Sequence, residues 1–131
     1  MKVLALDFGA ARTGVAISDA TGTIATPVGV VERAATDAGL ARVSELVRDE
    51  GAERVVVGLP LTMRGEHGEQ ARATELFVES LRDVLDVPVE SFDERFTTDL
   101  AQRSGGASAE DARAAAHLLT SYLEWSSARR P

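Results

Sequence analysis

Three separated stretches of this chain place carboxylates where they could do chemistry. The first is Leu6-Asp7-Phe8-Gly9, followed by Arg12-Thr13-Gly14. Asp7 ends an apolar run, and a carboxylate on a core strand is costly to desolvate unless a bound cation offsets the cost. Gly9 and Gly14 are expected to let the backbone turn sharply and to let a metal or phosphate approach closely. A turn aspartate bonded to its own backbone accounts for this fragment equally well. The second stretch is Phe92-Asp93-Glu94-Arg95-Phe96-Thr97-Thr98, where a strand gives way to a short helix. In an extended chain Asp93 and Glu94 leave opposite faces, so only one reaches a given site, and periodicity does not choose between them. Thr97 or Thr98 fits best as a helix N-cap. The third is Asp111, near the start of the last helix and beside Ala112, Ala115 and Ala116, whose small side chains allow a close approach to a sheet. Taken singly, Asp111 is better explained by the helix dipole, an effect under about 1 kcal/mol, and Glu110 is its rival.

The combination says more than any member. Carboxylates on a first strand, a later strand and a closing helix can converge at one edge of a sheet. The chain has no cysteine, and its two histidines, His67 and His117, are not at ligand spacing, so any metal here must sit on oxygen. Three such ligands, with water and phosphate completing the shell, suit Mg²⁺ or Mn²⁺. Two ions about 3.5 to 4 Å apart can activate a water and stabilise the leaving oxygen of an in-line displacement, which makes phosphodiester hydrolysis the natural reaction. His67 can at best assist proton transfer from its loop, and His117 reads as a helix-face residue.

These residues need a scaffold, and the patterning supplies one. Residues 2 to 8 and the run Val15-Ala16-Ile17 read as two strands joined by a tight turn. Ile24 to Val31 reads as a third strand, with Pro27 placing it at an edge. Leu40, Val43, Leu46 and Val47 recur at helical spacing between Thr36 and Glu50, and Gly51 stands at the C-cap. Val55-Val56-Val57 is apolar on both pleat faces, as a covered central strand requires. Residues 60 to 68 read as a loop, with Gly58-Leu59-Pro60 turning the chain out of the strand or, as the alternative, lining the site. Ala73, Leu76, Phe77, Leu81 and Val84 mark the next helix, Val87 to Phe92 the next strand, and Ser108 to Glu124 the last helix. Ala112, Ala115, Ala116, Leu119, Tyr122 and Leu123 line one face of that helix, Trp125 reads as a lid on the core, and residues 126 to 131 as a frayed tail. The expected architecture is one α/β domain with a mixed five-stranded sheet flanked by helices.

Composition bounds the function. A chain of 131 residues with 44% hydrophobic and 27% charged residues has the make-up of one folded domain rather than of a disordered or membrane-spanning chain. Residues 1 to 7 hold too few apolar residues before a carboxylate to act as a secretory signal, so a cytoplasmic location is expected. The net charge of −7 argues against a general nucleic-acid coat but leaves room for a local basic cleft. Lys2 stands alone beside thirteen arginines, the residue whose planar fork best suits phosphate oxygens.

Four blocks then resemble a known family. They are Leu6-Asp7-Phe8-Gly9 with Arg12 to Asp19, Val56 to Met63, Asp93 to Thr98, and Asp111 before Ala114-Ala115 and Tyr122-Leu123-Glu124. In this order they resemble the YqgF/RuvX family of Holliday-junction-resolvase-like proteins, described as nucleases of pre-16S rRNA. The resemblance implies an RNase H-like fold in a bacterial cytoplasmic protein. It also implies a role in maturing the 5′ end of 16S rRNA, activity on branched DNA, and Asp7, Glu94 and Asp111 as the acidic, metal-binding set. One departure matters: family members carry a longer, lysine-containing segment before the final aspartate, which here is only Gln102 to Glu110. Arg12, Arg64, Arg95 and Arg103 are then the candidates for contacting phosphate.

Two other readings compete. An actin-like ATPase opens with a similar Asp-x-Gly strand and turn but needs two such domains to enclose a nucleotide. A catalytically weak RNA-binding assembly factor that kept the fold and its acids fits the acidic charge and the shortened segment. Nucleic acid, in precursor rRNA, branched or single-stranded DNA or ribosomal particles, is the expected partner, for a monomer or a homodimer.

Overall fold

The computed structural model describes residues 1–60, 68–94 and 107–128, and only the backbone of residues 107–109. Five strands, β1 (Val3–Asp7), β2 (Arg12–Ser18), β3 (Ala25–Glu32), β4 (Arg54–Leu59) and β5 (Val89–Asp93), form one sheet in the order β3-β2-β1-β4-β5. β2 runs antiparallel to β1 and β3, whereas β1, β4 and β5 are parallel. This is the expected mixed sheet. Helices α1 (Asp37–Glu50) and α2 (Glu69–Val84) make the crossovers to β4 and β5, and α3 (Ala107–Ala128) closes the chain.

Strand parity sorts side chains between two cores. Leu4, Leu6, Val15, Val55 and Val57 pack with Val43, Leu46 and Val47 of α1 and Phe77, Val78 and Leu81 of α2. Val3, Ala5, Ala16, Val56 and Phe92 pack with Ala115, Leu118, Leu119, Tyr122 and Leu123 of α3. Central strands covered on both faces explain the unbroken valine run of β4. β3 lies at the sheet edge, as Pro27 requires, and its register slips opposite Val15 and Ala16.

Local signals end α1 cleanly. The Gly39 N–H donates to the Thr36 hydroxyl at 3.1 Å, and Gly51 is left-handed with φ 67°. At the far end of α2, Arg82 donates to the Val89 carbonyl through Nε at 3.1 Å and through Nη2 at 2.9 Å, tying the helix to the start of β5.

Three expectations need correction. Gly14 lies inside β2, opposite Asp7, rather than in the connecting turn. The inward face of α2 is Ala71, Thr74, Phe77, Val78 and Leu81; Ala73, Leu76 and Val84 are exposed, Leu76 by 70%. Counting apolar residues shifted that stripe, because Thr74 is buried with its hydroxyl donating to the Gln70 carbonyl at 2.8 Å. Finally, α3 continues through Ala128, so residues 126–128 extend the helix instead of fraying.

Candidate active site

The site lies where β1 ends. Val3 and Ala5 face α3, so parity turns Asp7 toward the same side. Its antiparallel partner on β2 is Gly14. On the other side, Leu6 pairs with Val57 of β4, and the next residue of that strand is Gly58. Asp7 is thus flanked across the sheet by two residues without side chains.

Each missing side chain admits one other group. A Cβ on Gly58 would lie 2.6 Å from Oε1 and 3.0 Å from Cγ of Glu94, so the glutamate side chain occupies the space that Gly58 leaves open. Glu94 follows directly on β5, and its parity is that of Phe92, which faces α3. There the carboxyl hydrogen-bonds Asp7, and its pKa is pushed up to about 7. Burial is the main cause, followed by the Asp7 charge, the hydrogen bond to Asp7 and the charge of Asp93. Two carboxyl groups in contact share a proton or need a cation between them.

Gly14 serves α3 instead. A Cβ there would overlap the Asp111 carbonyl, so the helix backbone rests directly on β2. The Asp111 side chain accepts a hydrogen bond from Arg12 Nε at 2.7 Å, in an ion pair whose side chains are 45% and 24% exposed. Asp111 is therefore held by backbone contact beside the residue opposite Asp7, while its carboxylate is engaged by a cation of the protein's own.

The expected residues thus fall into two groups. Asp7 and Glu94 meet; Asp111 and Arg12 meet beside them. Arg64, Arg95 and Arg103, together with His67, Thr97 and Thr98, lie outside the described residues. No group of three acidic or histidine side chains among the described residues is already arranged around a metal position. The chemistry of the donors nevertheless suits a hard divalent cation: Asp7 and Glu94 offer carboxylate oxygens that otherwise require a proton, while the Asp111 carboxylate is held by Arg12. Gly58 reads from sequence first as a device for leaving the strand and second as lining the site; the close contact with Glu94 favours the second. Its signal was available, since a glycine inside a valine-rich core strand marks a close approach by another group.

Aromatic residues frame this region. Phe8 stacks on Phe77 with centroids 4.4 Å apart, drawing the chain beyond Asp7 onto α2. Phe92 meets Tyr122 and Trp125 edge-on, each at 5.6 Å, so Trp125 does cover core residues.

Known proteins share both sequence and fold. A protein of Chloroflexus aggregans described as "Putative pre-16S rRNA nuclease" is 50% identical over 101 residues, covering 77% of this chain and 71% of the relative. One of the same description from Symbiobacterium thermophilum is 36% identical, covering 100% of this chain and 97% of the relative. Among solved structures, Thermus thermophilus RuvC in complex with a Holliday junction substrate matches with a TM-score of 0.63 at 18% identity, covering 98% of this chain and 97% of that one. At that identity the likeness shows the fold, which is RNase H-like. The family model for RuvX, Holliday junction resolvase, matches residues 1–125, which hold every strand and all but the last three residues of α3, and the chain belongs to this family.

Proposed function

We propose that this protein is a divalent-metal-dependent nuclease that matures the 5′ end of precursor 16S rRNA and also cleaves branched DNA such as Holliday junctions. The observation that carries the reading is the Asp7–Glu94 carboxyl pair, held against Gly58 at the C-terminal edge of the parallel strands. Family membership and the descriptions of the relatives support the reaction class. Asp7, Glu94 and Asp111 would hold Mg²⁺ or Mn²⁺, which when bound supplies Lewis acidity and an activated water for phosphodiester hydrolysis.

The chain's own residues do the rest. Asp7 at the end of β1 and Glu94 just beyond β5, on either side of β4, fix the donor oxygens relative to each other. Asp111 enters from α3, whose position Gly14 sets. Arg12, Arg64, Arg95 and Arg103 are the phosphate contacts of this reading, and a guanidinium gives two parallel donors to such an oxygen pair. No helix among the described residues is long and apolar enough to cross a membrane; we assign the protein to the cytoplasm, as a monomer or homodimer that meets precursor rRNA, free or in ribosomal particles.

The test is cleavage of precursor 16S rRNA, single-stranded RNA and four-way DNA junctions in parallel by wild type and Asp7→Asn. Activity that needs Mg²⁺ or Mn²⁺ and disappears in Asp7→Asn supports the proposal, whereas undiminished cleavage in excess EDTA refutes the metal mechanism. The net charge of −7 favours one second reading, an RNA-binding assembly factor with weak catalysis. Precursor rRNA bound by wild type but never turned over would select it.

A further inference from the structure

The ion pair between Arg12 and Asp111 joins two residues that the nuclease reading uses for different tasks, one for phosphate and one for metal. Arg12 is the first residue of β2 and Asp111 stands in α3, 99 positions later. The Arg12 Nε–Asp111 Oδ2 contact of 2.7 Å is a good charge-assisted hydrogen bond. It is also half in solvent, with the Arg12 side chain 45% exposed, and exposed pairs are held weakly enough to exchange partners. The backbone behind Asp111 is not free to follow, because its carbonyl rests on Gly14, directly opposite Asp7. With the Asp111 backbone fixed beside the residue opposite Asp7, rotation of the side chain is the movement by which its carboxylate would leave Arg12.

We infer that Arg12 and the divalent cation compete for Asp111, so that Arg12 clasps this carboxylate in metal-free protein and is released toward substrate phosphate when the cation takes it. The inference rests on the metal-dependent reading of the site and adds a coupling to it. Two consequences follow from charge alone. Arg12 lowers the affinity for the cation, because the metal must displace it. Without metal, Asp111 withholds Arg12 from phosphate. Breaking the Asp111 bond frees the Nε–H and unmasks the guanidinium charge, so that the whole planar fork suits a phosphate.

Both consequences can be measured on the full chain without turnover. Mn²⁺ binding, read from the paramagnetic resonance signal of the free ion, should be roughly five- to tenfold tighter in Arg12→Gln than in wild type. Arg12→Lys, which keeps the charge, should stay near wild type and preserves the comparison if Arg12→Gln does not fold. The gain should vanish in an Asp111→Asn background, since a mere change in overall charge would persist there. In EDTA, binding of a four-way DNA junction should become more salt-dependent in Asp111→Asn, by about one released counterion, but not in Asp111→Asn with Arg12→Gln. Melting in EDTA checks that each variant is folded. Equal or weaker Mn²⁺ binding by Arg12→Gln, a gain that survives in Asp111→Asn, or a steeper salt dependence without Arg12 overturns the inference while leaving the metal reading intact. Failure of all these proteins to bind Mn²⁺ overturns the metal reading itself, and the inference with it.

Discussion

Two aspartates close two neighbouring strands and have opposite surroundings. Asp19, just beyond β2, accepts hydrogen bonds from the backbone N–H groups of Thr23 at 2.8 Å and Ile24 at 3.0 Å, and from the Thr21 hydroxyl. Those donors, that of Ile24 foremost, hold its carboxyl well below the usual carboxylate range. Asp7, at the end of β1, faces the carboxyl of Glu94. One aspartate is satisfied by its own turn; the other is set against a like group, an arrangement that makes sense only with a proton or a cation to share. The turn explanation weighed for Asp7 from sequence is the one the structure realises at Asp19.

The comparison can be broken most directly by exchanging function for structure. Asp7→Asn should lower turnover by about a hundredfold or more, the scale of losing one well-placed charge-stabilising group, with the fold retained. Asp19→Asn should leave turnover within about twofold of wild type. Cleavage assays with Mn²⁺ on both variants check this, and wild-type turnover by Asp7→Asn would remove Asp7 from the site.

The choice between Asp93 and Glu94 sharpens it further. Glu94→Gln should lose most of its turnover, while Asp93→Asn should retain a substantial part, because Glu94 lies against Gly58 and hydrogen-bonds Asp7. Gly58→Ala should act through the same contact, displacing the end of a side chain and reducing turnover about ten- to a hundredfold with little change in melting temperature. Gly14→Ala should differ in kind. Its Cβ meets helix backbone, so α3 must move and stability should fall by about 1–3 kcal/mol in denaturant titrations.

A smaller effect is expected in the pH dependence of metal-free protein. The Glu94 pKa is raised in the folded state, from 4.5 to about 7. Its contribution is therefore fully present below about pH 4.5 and is lost as pH rises through about 7. In EDTA, Glu94→Gln should match wild type near pH 4.5 and exceed it above pH 7, by at most about 2 kcal/mol once solvent screening is allowed for. Thermal melts across this range check the sign, and added Mn²⁺ should narrow the gap by stabilising only the wild type. Asp19 has the opposite sign: its lowered pKa stabilises above the ordinary range and is lost on acidification. Asp19→Ala should cost a few degrees of melting temperature at neutral pH through its lost turn bonds, and still less in acid.

Legibility in the sequence followed the range of the interactions. Gly51 announced the C-terminal end of α1 because a cap bonds within a few residues of itself, whereas Thr36 entered only as the start of the helical spacing and is shown by the structure to be the N-cap. The valine run of β4 announced a buried strand because both pleat faces were apolar. The buried face of α2 was misjudged, with Leu76 outside and Thr74 inside, because the side that faces inward is set by where the sheet lies. Composition restricted any metal to oxygen donors, and the family resemblance supplied Asp7, Glu94 and Asp111 as the expected set. The phase of Asp93 and Glu94 was open from residues alone, since an extended strand presents both equally well.

By itself, then, the sequence determined the family, the sheet's strands and the C-terminal end of α1, all of which depend on residue type or on neighbours along the chain. Tertiary structure alone decided that Gly14 and Gly58 flank Asp7, that Glu94 fills the space of one and Asp111 rests on the other, and that Arg12 grips Asp111. The reason is steric and electrostatic. A glycine's missing side chain has meaning only when another segment enters the space, and a carboxylate's charge state only when its neighbours across the fold are fixed.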